Sequence, residues 1–377
     1  MPILPPSPPA AVAAPFTVSP PVELRVGRQL PVGLDVMPSM NNVDVVPHAG
    51  RYYLAFRTGP THFASDQVLL QVLSSSDGES WQSEQTITLG ADVREPRFLS
   101  FNGHLFLYFF KGGTDPFEFD PDHMYVTEKT ATGWTTPEIF GEPGFVPWRA
   151  KVHDGKAYLS AYYGKGLYTS QTGSAVHLYT SDDGRHWLPI SAAPQVTTRG
   201  AEEPEYEWDR DGNLWGTIRL ENEGAEIVYA PKGDLAHWQT IKTPYKYDSA
   251  LLFRHGDDLY LIARRSLDGV MDHAPKWFPT VARQYYNLGR YSATRKRTAI
   301  YRFDTRTRTI TPLVDLPTQG DTAYPALAPI NDHQYLLLNY SNRIGEGHDY
   351  PWIVGQLNPT RLYTQVITFP AAEPAAR

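Results

Sequence analysis

One segment recurs six times along this chain, and the repetition limits the fold more than any single residue does. The copies begin at Asn42, Arg94, Trp148, Glu203, Asp248 and Tyr324. Each is a short apolar run, a tight turn and a second run rich in Leu, Tyr and Phe. The turns fall at Ala49-Gly50, Asn102-Gly103, Asp154-Gly155, Asp211-Gly212, His255-Gly256 and Asn331-Asp332. Such a pattern is an antiparallel hairpin. Hairpins repeating at roughly 50 residues predict a β-propeller with one repeat per blade. The expected fold is all-β, a six-bladed propeller. A five-bladed one is the alternative if the sixth repeat merges with the closing segment.

The repeats span most of the 377 residues, so a single domain is expected over 21–377. Blades pack only on their neighbours, which lets such a domain exceed the usual size of one core. Residues 1–20 are Pro/Ala-rich and are expected to form a disordered leader. The extended stretch from 21 to 40 is expected to supply an outer strand that closes the ring with the last repeat. The final strand is expected in Trp352–Asn358 or in Thr364–Phe369. Further strand pairs, with a Trp near the turn, lie at Ser74–Gln82, Thr130–Pro137, Thr180–Ile190 and Ala230–Ile241. They are the expected outer strands of blades 1 to 4, and Ala299–Leu313 gives those of blade 5. No helix is expected. The longest interruption, Ser266 to Arg297, has the length of a functional loop.

Net charge is −7, with both signs dispersed, so nucleic acid is not an expected partner. No apolar run reaches the length of a membrane span. There is no cysteine, so no disulfide forms and the redox compartment goes unmarked. The first residues lack the basic and apolar regions of a signal peptide. Cytoplasmic residence, or secretion after signal removal, both fit. No cofactor is expected. Asp115, Glu118, Asp120 and Asp122 alternate, but without the glycine turn of a calcium loop.

Two turns carry a resemblance. Ser75–Trp81 (SSDGESW) and Ser181–Trp187 (SDDGRHW) resemble Asp boxes, the structural turn motifs of the sialidase superfamily, with Asp and Trp one residue closer than usual. The copies at Trp134 and Trp238 are degenerate. In this motif the Asp caps a turn and the Trp packs beneath it. The order of blades is also similar. The fourth hairpin, with its Glu-Pro start and terminal Arg, and the sixth, with Tyr324 after Ala323, resemble sialidase segments. The resemblance implies Tyr324 as nucleophile, Glu203 as its activating carboxylate, and Arg219 with Arg264 or Arg265 as substrate-carboxylate arginines. It also places Asp66 where the family keeps its general acid. The first hairpin departs from the pattern. Asn42-Val43-Asp44 stands where a sialidase has an Arg-Ile-Pro run. Without that arginine the carboxylate clamp is incomplete, so sialic acid is not the expected substrate.

Propeller geometry brings the start and the end of every hairpin to one rim. That rim also carries the long loops. Crowded carboxylates and arginines in a concave site suit glycoside cleavage, which needs a proton donor and a second group to attack the sugar or activate water. Asp44, Glu203 and Asp248 are the expected catalytic carboxylates. Tyr324 is expected as nucleophile or donor, and Asp66 as an alternative acid. Arg57, His62, Glu95, Arg149, Tyr163, Arg219, Arg264 and Trp277 are expected to bind substrate. Trp148 and Trp208 are further candidates for stacking on sugar faces. The bland alternative for each charged residue is a structural ion pair sealing the channel. The expected activity is therefore that of a glycosidase acting on an oligo- or polysaccharide. The alternatives are an arabinanase-like or fructosidase-like five-bladed glycosidase, a non-catalytic carbohydrate-binding propeller, and a polysaccharide lyase using Tyr324 and His62.

Overall fold

The computed structural model describes residues 13–166 and 174–371. Its strands form six antiparallel sheets, so the five-bladed alternative is set aside. Blade 1 comprises Ser39–His48, Arg51–Gly59, Leu69–Ser75 and Gln82–Ile87. Blade 2 comprises Val93–Phe101, His104–Lys111 and His123–Thr130, with two short outer strands, Gly133–Trp134 and Glu138–Phe140. Blades 3 and 4 begin with the hairpins Phe145–His153/Lys156–Tyr163 and Ala201–Trp208/Leu214–Leu220. Blade 5 comprises Asp248–His255, Asp258–Ser266, Lys296–Asp304 and Thr309–Asp315.

Three inner hairpins turn where the sequence indicated, through two residues of positive φ. These are Ala49-Gly50 (47° and 74°), Asn102-Gly103 (50° and 81°) and Asp154-Gly155 (47° and 76°). Such turns match the right-handed twist of the flanking strands. Two turns are shifted by one residue from the expected position. His255 pairs with Asp258, and Asn331 with Gln334, so Gly256-Asp257 and Asp332-His333 are the turning pairs.

Blade 6 closes the ring. Its inner strand is split into Thr318–Thr322 and Ala326–Asn331. Gln334–Ile344 and Arg361–Thr368 follow, and the edge is completed from the far end of the chain by Thr17–Val18 and Val22–Glu23. The latch therefore begins inside the segment expected to be a disordered leader, whose residues 1–12 lie outside the described region. Phe16 anchors it, with its ring against Tyr260 and Phe369. Of the two candidates for the last strand, the Thr364–Phe369 segment takes the role.

Two helices depart from expectation. The interruption in blade 5 holds α1 (Thr280–Ser292), and the other candidate for the last strand is α2 (Trp352–Gln356). Each starts immediately after a proline, Pro279 and Pro351, whose fixed φ suits entry into a helix. Val281, Tyr285 and Tyr286 of α1 are exposed, while Asn287 and Tyr291 are buried. Asn287 and Tyr291 thus pack one helix face over the ring, and the strand-favouring Val281, Tyr285 and Tyr286 face outward. Among the described residues no helix is long and apolar enough to cross a membrane.

The two Asp-Gly turns are capped alike. Asp77 Oδ1 accepts from the N–H groups of Glu79 and Ser80, both at 2.8 Å, and Asp183 Oδ1 does so from Arg185 and His186 at the same distance. Those bonds hold the Asp77 carboxyl down to about 2. Trp81 is buried and Trp187 partly buried, its ring against Tyr108.

Candidate active site

Each inner strand is interrupted near its start by a one-step slip in register. The slips fall between Asn41 and Val43, Arg94 and Arg97, Pro147 and Arg149, Glu202 and Glu205, and Asp248 and Leu251. Four of these bulges place a non-glycine residue at positive φ: Asn42 (46°), Glu95 (54°), Glu203 (51°) and Ser249 (51°). Ala323 (71°) does so in blade 6. The left-handed region costs such a residue about 1–2 kcal/mol, and a bulge re-aims the side chain it carries. The same device in blades 1, 2, 4 and 5 turns Asn42, Glu95, Glu203 and Ser249 toward a common axis.

They meet in a cavity of ≈ 310 Å³ at the rim that carries the long loops. Asn42, Glu95, Glu203, Ser249 and Tyr324 lie among its walls, with Arg94, Arg219, Arg264, His62 and Tyr162. The 112–120 loop and Trp352 and Gln356 of α2 complete the mouth.

The two bulge glutamates have different surroundings. Glu203 Oε1 accepts from Arg219 at 2.9 Å, and Oε2 accepts from the Ser249 N–H. Glu95 is 7% exposed, and its Oε2 has no hydrogen-bond partner. Burial pushes the Glu95 carboxyl up to about 8. The charge of Glu203 adds to that effect, while Arg97, Arg94 and Arg219 oppose it.

Arg219 is surrounded by carboxylates of the protein. Its guanidinium lies 3.0 Å from Glu202, 2.9 Å from Glu203, 2.7 Å from Glu221 and 3.3 Å from Asp248. Burial holds the Glu202 carboxyl well above its usual range against the pull of Arg219. Arg264 bonds the Thr322 carbonyl at 2.7 Å and Asp248 at 3.3 Å, and its guanidinium lies 4.7 Å from the Trp352 ring centre.

Of the three carboxylates expected nearest the chemistry, only Glu203 lines this cavity. Asp248 is fully buried behind it, between Arg219, Arg264 and the Tyr291 hydroxyl. Burial alone would raise its carboxyl, but Arg219, Lys246 and Arg264 hold it down to about 2. Asp44 sits one level deeper in the channel. It accepts from the Phe98 N–H at 2.6 Å, lies 3.7 Å from Arg149, and faces a separate cavity that also includes Lys151 and Glu207. Asp66 is exposed on its loop, bonded by Ser65, and does not reach the walls.

The remaining expected binding residues divide in the same way. His62, Glu95, Arg219 and Arg264 line the cavity, and Arg57, Arg149, Tyr163 and Trp277 do not. Arg57 is wholly buried beneath it, on Asp92 at 2.8 Å and on the carbonyls of Thr61 and Phe63. Arg149 is paired with Glu205 at 2.6 Å. Tyr163 packs on Phe145, and Trp277 stands 81% exposed on the α1 insertion. Trp148 and Trp208 are buried and offer no face to a sugar. Trp148 instead helps close the floor, where the Arg97 guanidinium lies between the Trp148 and Tyr324 rings at 4.6 and 4.4 Å. The Tyr324 hydroxyl has no hydrogen-bond partner, and burial raises it well above the ordinary phenol range.

Asp321 was not among the expected site residues. It is fully buried and bonds His62 Nδ1 at 2.7 Å. Its neighbourhood at the start of the sixth hairpin was the available signal. In the acidic loop, Asp115 caps Phe117, Asp120 pairs with Lys165, and Asp122 pairs with Lys111 and His123. Among the described residues no cluster of His, Asp or Glu is arranged to hold a metal ion.

No family model matches the chain, and no curated protein does. Solved structures share its fold. A Dyadobacter fermentans protein of unknown function is 16% identical at a TM-score of 0.59, over 88% of this chain and 95% of that one. The Trypanosoma rangeli sialidase is 13% identical at 0.61, over 95% of this chain and 60% of the sialidase. The Penicillium chrysogenum α-L-arabinanase, solved with arabinobiose, is 12% identical at 0.53, over 94% and 98%. These likenesses establish the propeller architecture, which sialidase and arabinanase propellers share.

Proposed function

We propose that this propeller is a glycoside hydrolase in which Glu95 is the proton donor and Glu203 the partner carboxylate. The observation that carries the reading is the contrast between the two bulge glutamates of one cavity. One has a carboxyl oxygen with no hydrogen-bond partner and keeps its proton to about pH 8. The other is oriented by Arg219 and a backbone N–H. Two carboxyl groups in unlike environments divide into acid and base or nucleophile. Glu95 gives its proton to the leaving oxygen as the glycosidic bond breaks. Glu203 attacks the sugar carbon or takes a proton from the water that does. Tyr324 is the neutral donor to the sugar, because burial opposes its ionisation. Asp44 and Asp248 keep the ring's ion pairs, and Asp66 stands outside the reaction.

A substrate other than sialic acid is supported by two features. Asn42 stands where a clamp arginine would be needed, and Arg219 already faces four carboxylates of the protein. The sialidase and arabinanase neighbours add that this architecture carries glycosidases. A screen of chromogenic glycosides and polysaccharides with the purified chain tests the reading. One or more neutral glycosides should be hydrolysed, and Glu203→Gln should lower turnover by roughly 10²–10⁴-fold with Tm unchanged within a few degrees. A wild-type chain that binds oligosaccharides but cleaves none would make it a carbohydrate-binding propeller.

A further inference from the structure

The cavity wall formed by blades 1 and 6 contains a second assembly that acid–base cleavage does not require. His62 Nδ1 and Asp321 Oδ2 lie 2.7 Å apart. The other Asp321 oxygen accepts from Trp352 Nε1 at 2.9 Å and from the Tyr340 hydroxyl at 3.1 Å. Asp321 is fully buried, so its charge is best compensated when Nδ1 carries the ring proton and donates it. Nε2 is then the ring nitrogen left as an acceptor.

The loop that carries the ring is fixed from below. Arg57 bonds the carbonyls of Thr61 at 3.2 Å and Phe63 at 2.8 Å, and Arg94 bonds that of His62 at 2.8 Å. The His62 N–H in turn donates to the Gln356 carbonyl. Three successive carbonyls are thus tied to two arginines, both of which also hold Asp92. The cations nearest the ring are committed to the scaffold.

Resting on the glycosidase reading for the cavity, we infer that His62 is a specificity-determining residue. Its Nε2 accepts a hydrogen bond from a hydroxyl of a neutral sugar, and Asp321 is the positioning residue that fixes the tautomer. The groups facing the ring are Asp321 and, through it, Tyr340 from blade 6, with Arg94 from blade 2 and Arg57 from blade 1. Burial, aided by the two arginines and opposed by Asp321, lowers His62 below its usual range. The acceptor therefore persists at neutral pH and is lost only on acidification.

Two measurements on the full chain test this. In ¹⁵N-resolved imidazole NMR at pH 7, His62 should show protonated Nδ1 and bare Nε2. Neutral mono- and oligosaccharides should shift Nε2, and N-acetylneuraminic acid should not. An imidazolium or the opposite tautomer overturns the inference. The second measurement compares variants on any glycoside the wild type hydrolyses. His62→Asn keeps an amide near Nδ1 for Asp321 but lacks Nε2. It should raise KM by roughly 3- to 10-fold, the worth of one neutral hydrogen bond, with kcat within about 2-fold. Turnover with an unchanged KM overturns the inference and leaves the glycosidase reading standing. No turnover, with Nε2 still shifted by neutral sugar, does the reverse. Neither turnover nor shift overturns both.

Discussion

At the residue scale, Glu95 binds its proton more tightly in the folded chain than in the unfolded one. Its folded value is about 8 and the ordinary glutamate value 4.5. The associated stability is fully present below about pH 4.5 and is lost as pH rises through about 8, because the unfolded chain releases the proton first. Glu95→Gln removes this dependence. Its Tm relative to wild type should climb between about pH 4.5 and 8 and level off above that. Thermal melts across this range check it, and a difference that stays flat with pH would show that the carboxyl is not held protonated. The ion pairs around Asp248 follow the opposite logic, because Arg219, Lys246 and Arg264 hold its carboxyl down. Removing one partner there leaves a buried charge uncompensated, which is a structural role.

At the scale of the element, hairpins, turn glycines and blade count were legible because their signals are local. Period-two apolar runs bracket residues that tolerate φ > 0, and three turns fall where Ala-Gly, Asn-Gly and Asp-Gly stand. The bulges were not legible, and they displace the site. A bulge moves every side chain beyond it to the other face. In blade 1 the slip precedes Asp44, so a count from the hairpin start reaches Asp44 while the cavity receives Asn42; in blade 5 Asp248 lies before the slip, and Ser249 within it is the residue re-aimed into the cavity. The bulge residues share no type, being Asn, Glu, Glu, Ser and Ala. A partial signal existed in Glu95-Pro96 and Glu203-Pro204, since proline within an inner strand marks a break in its ladder. The latch was half legible. Its strand character showed, but its register with Arg361–Thr368 depends on the closed ring. Deleting the chain through Glu23 strips that edge and uncovers the surface under Phe16. The Tm should fall by several degrees, with concentration-dependent association visible by light scattering. A monomeric deletion variant with wild-type Tm would count against the latch.

At the scale of the whole molecule, the ring turns a weak sequence repeat into a convergent site. Six similar hairpins converge on one axis, four of them deliver a re-aimed residue to the cavity, and the loops and α2 wall in the result. The residue delivered differs between blades: glutamate in blades 2 and 4, asparagine in blade 1, serine in blade 5. Below the cavity, Arg97, Trp148 and Tyr324 close the axis, so the deeper cavity at Asp44 is separate from the candidate site. The central claim is that Glu95 protonates a leaving group, and leaving-group dependence measures it most directly. On the glycone found by the screen, Glu95→Gln and wild type are compared with a dinitrophenyl leaving group, which needs no proton, and with a simple alkyl one, which does. The account predicts a loss of about 10²–10⁴-fold on the alkyl glycoside and less than about 10-fold in the bond-cleaving step of the dinitrophenyl one. Equal losses on both, or none on either, would contradict it.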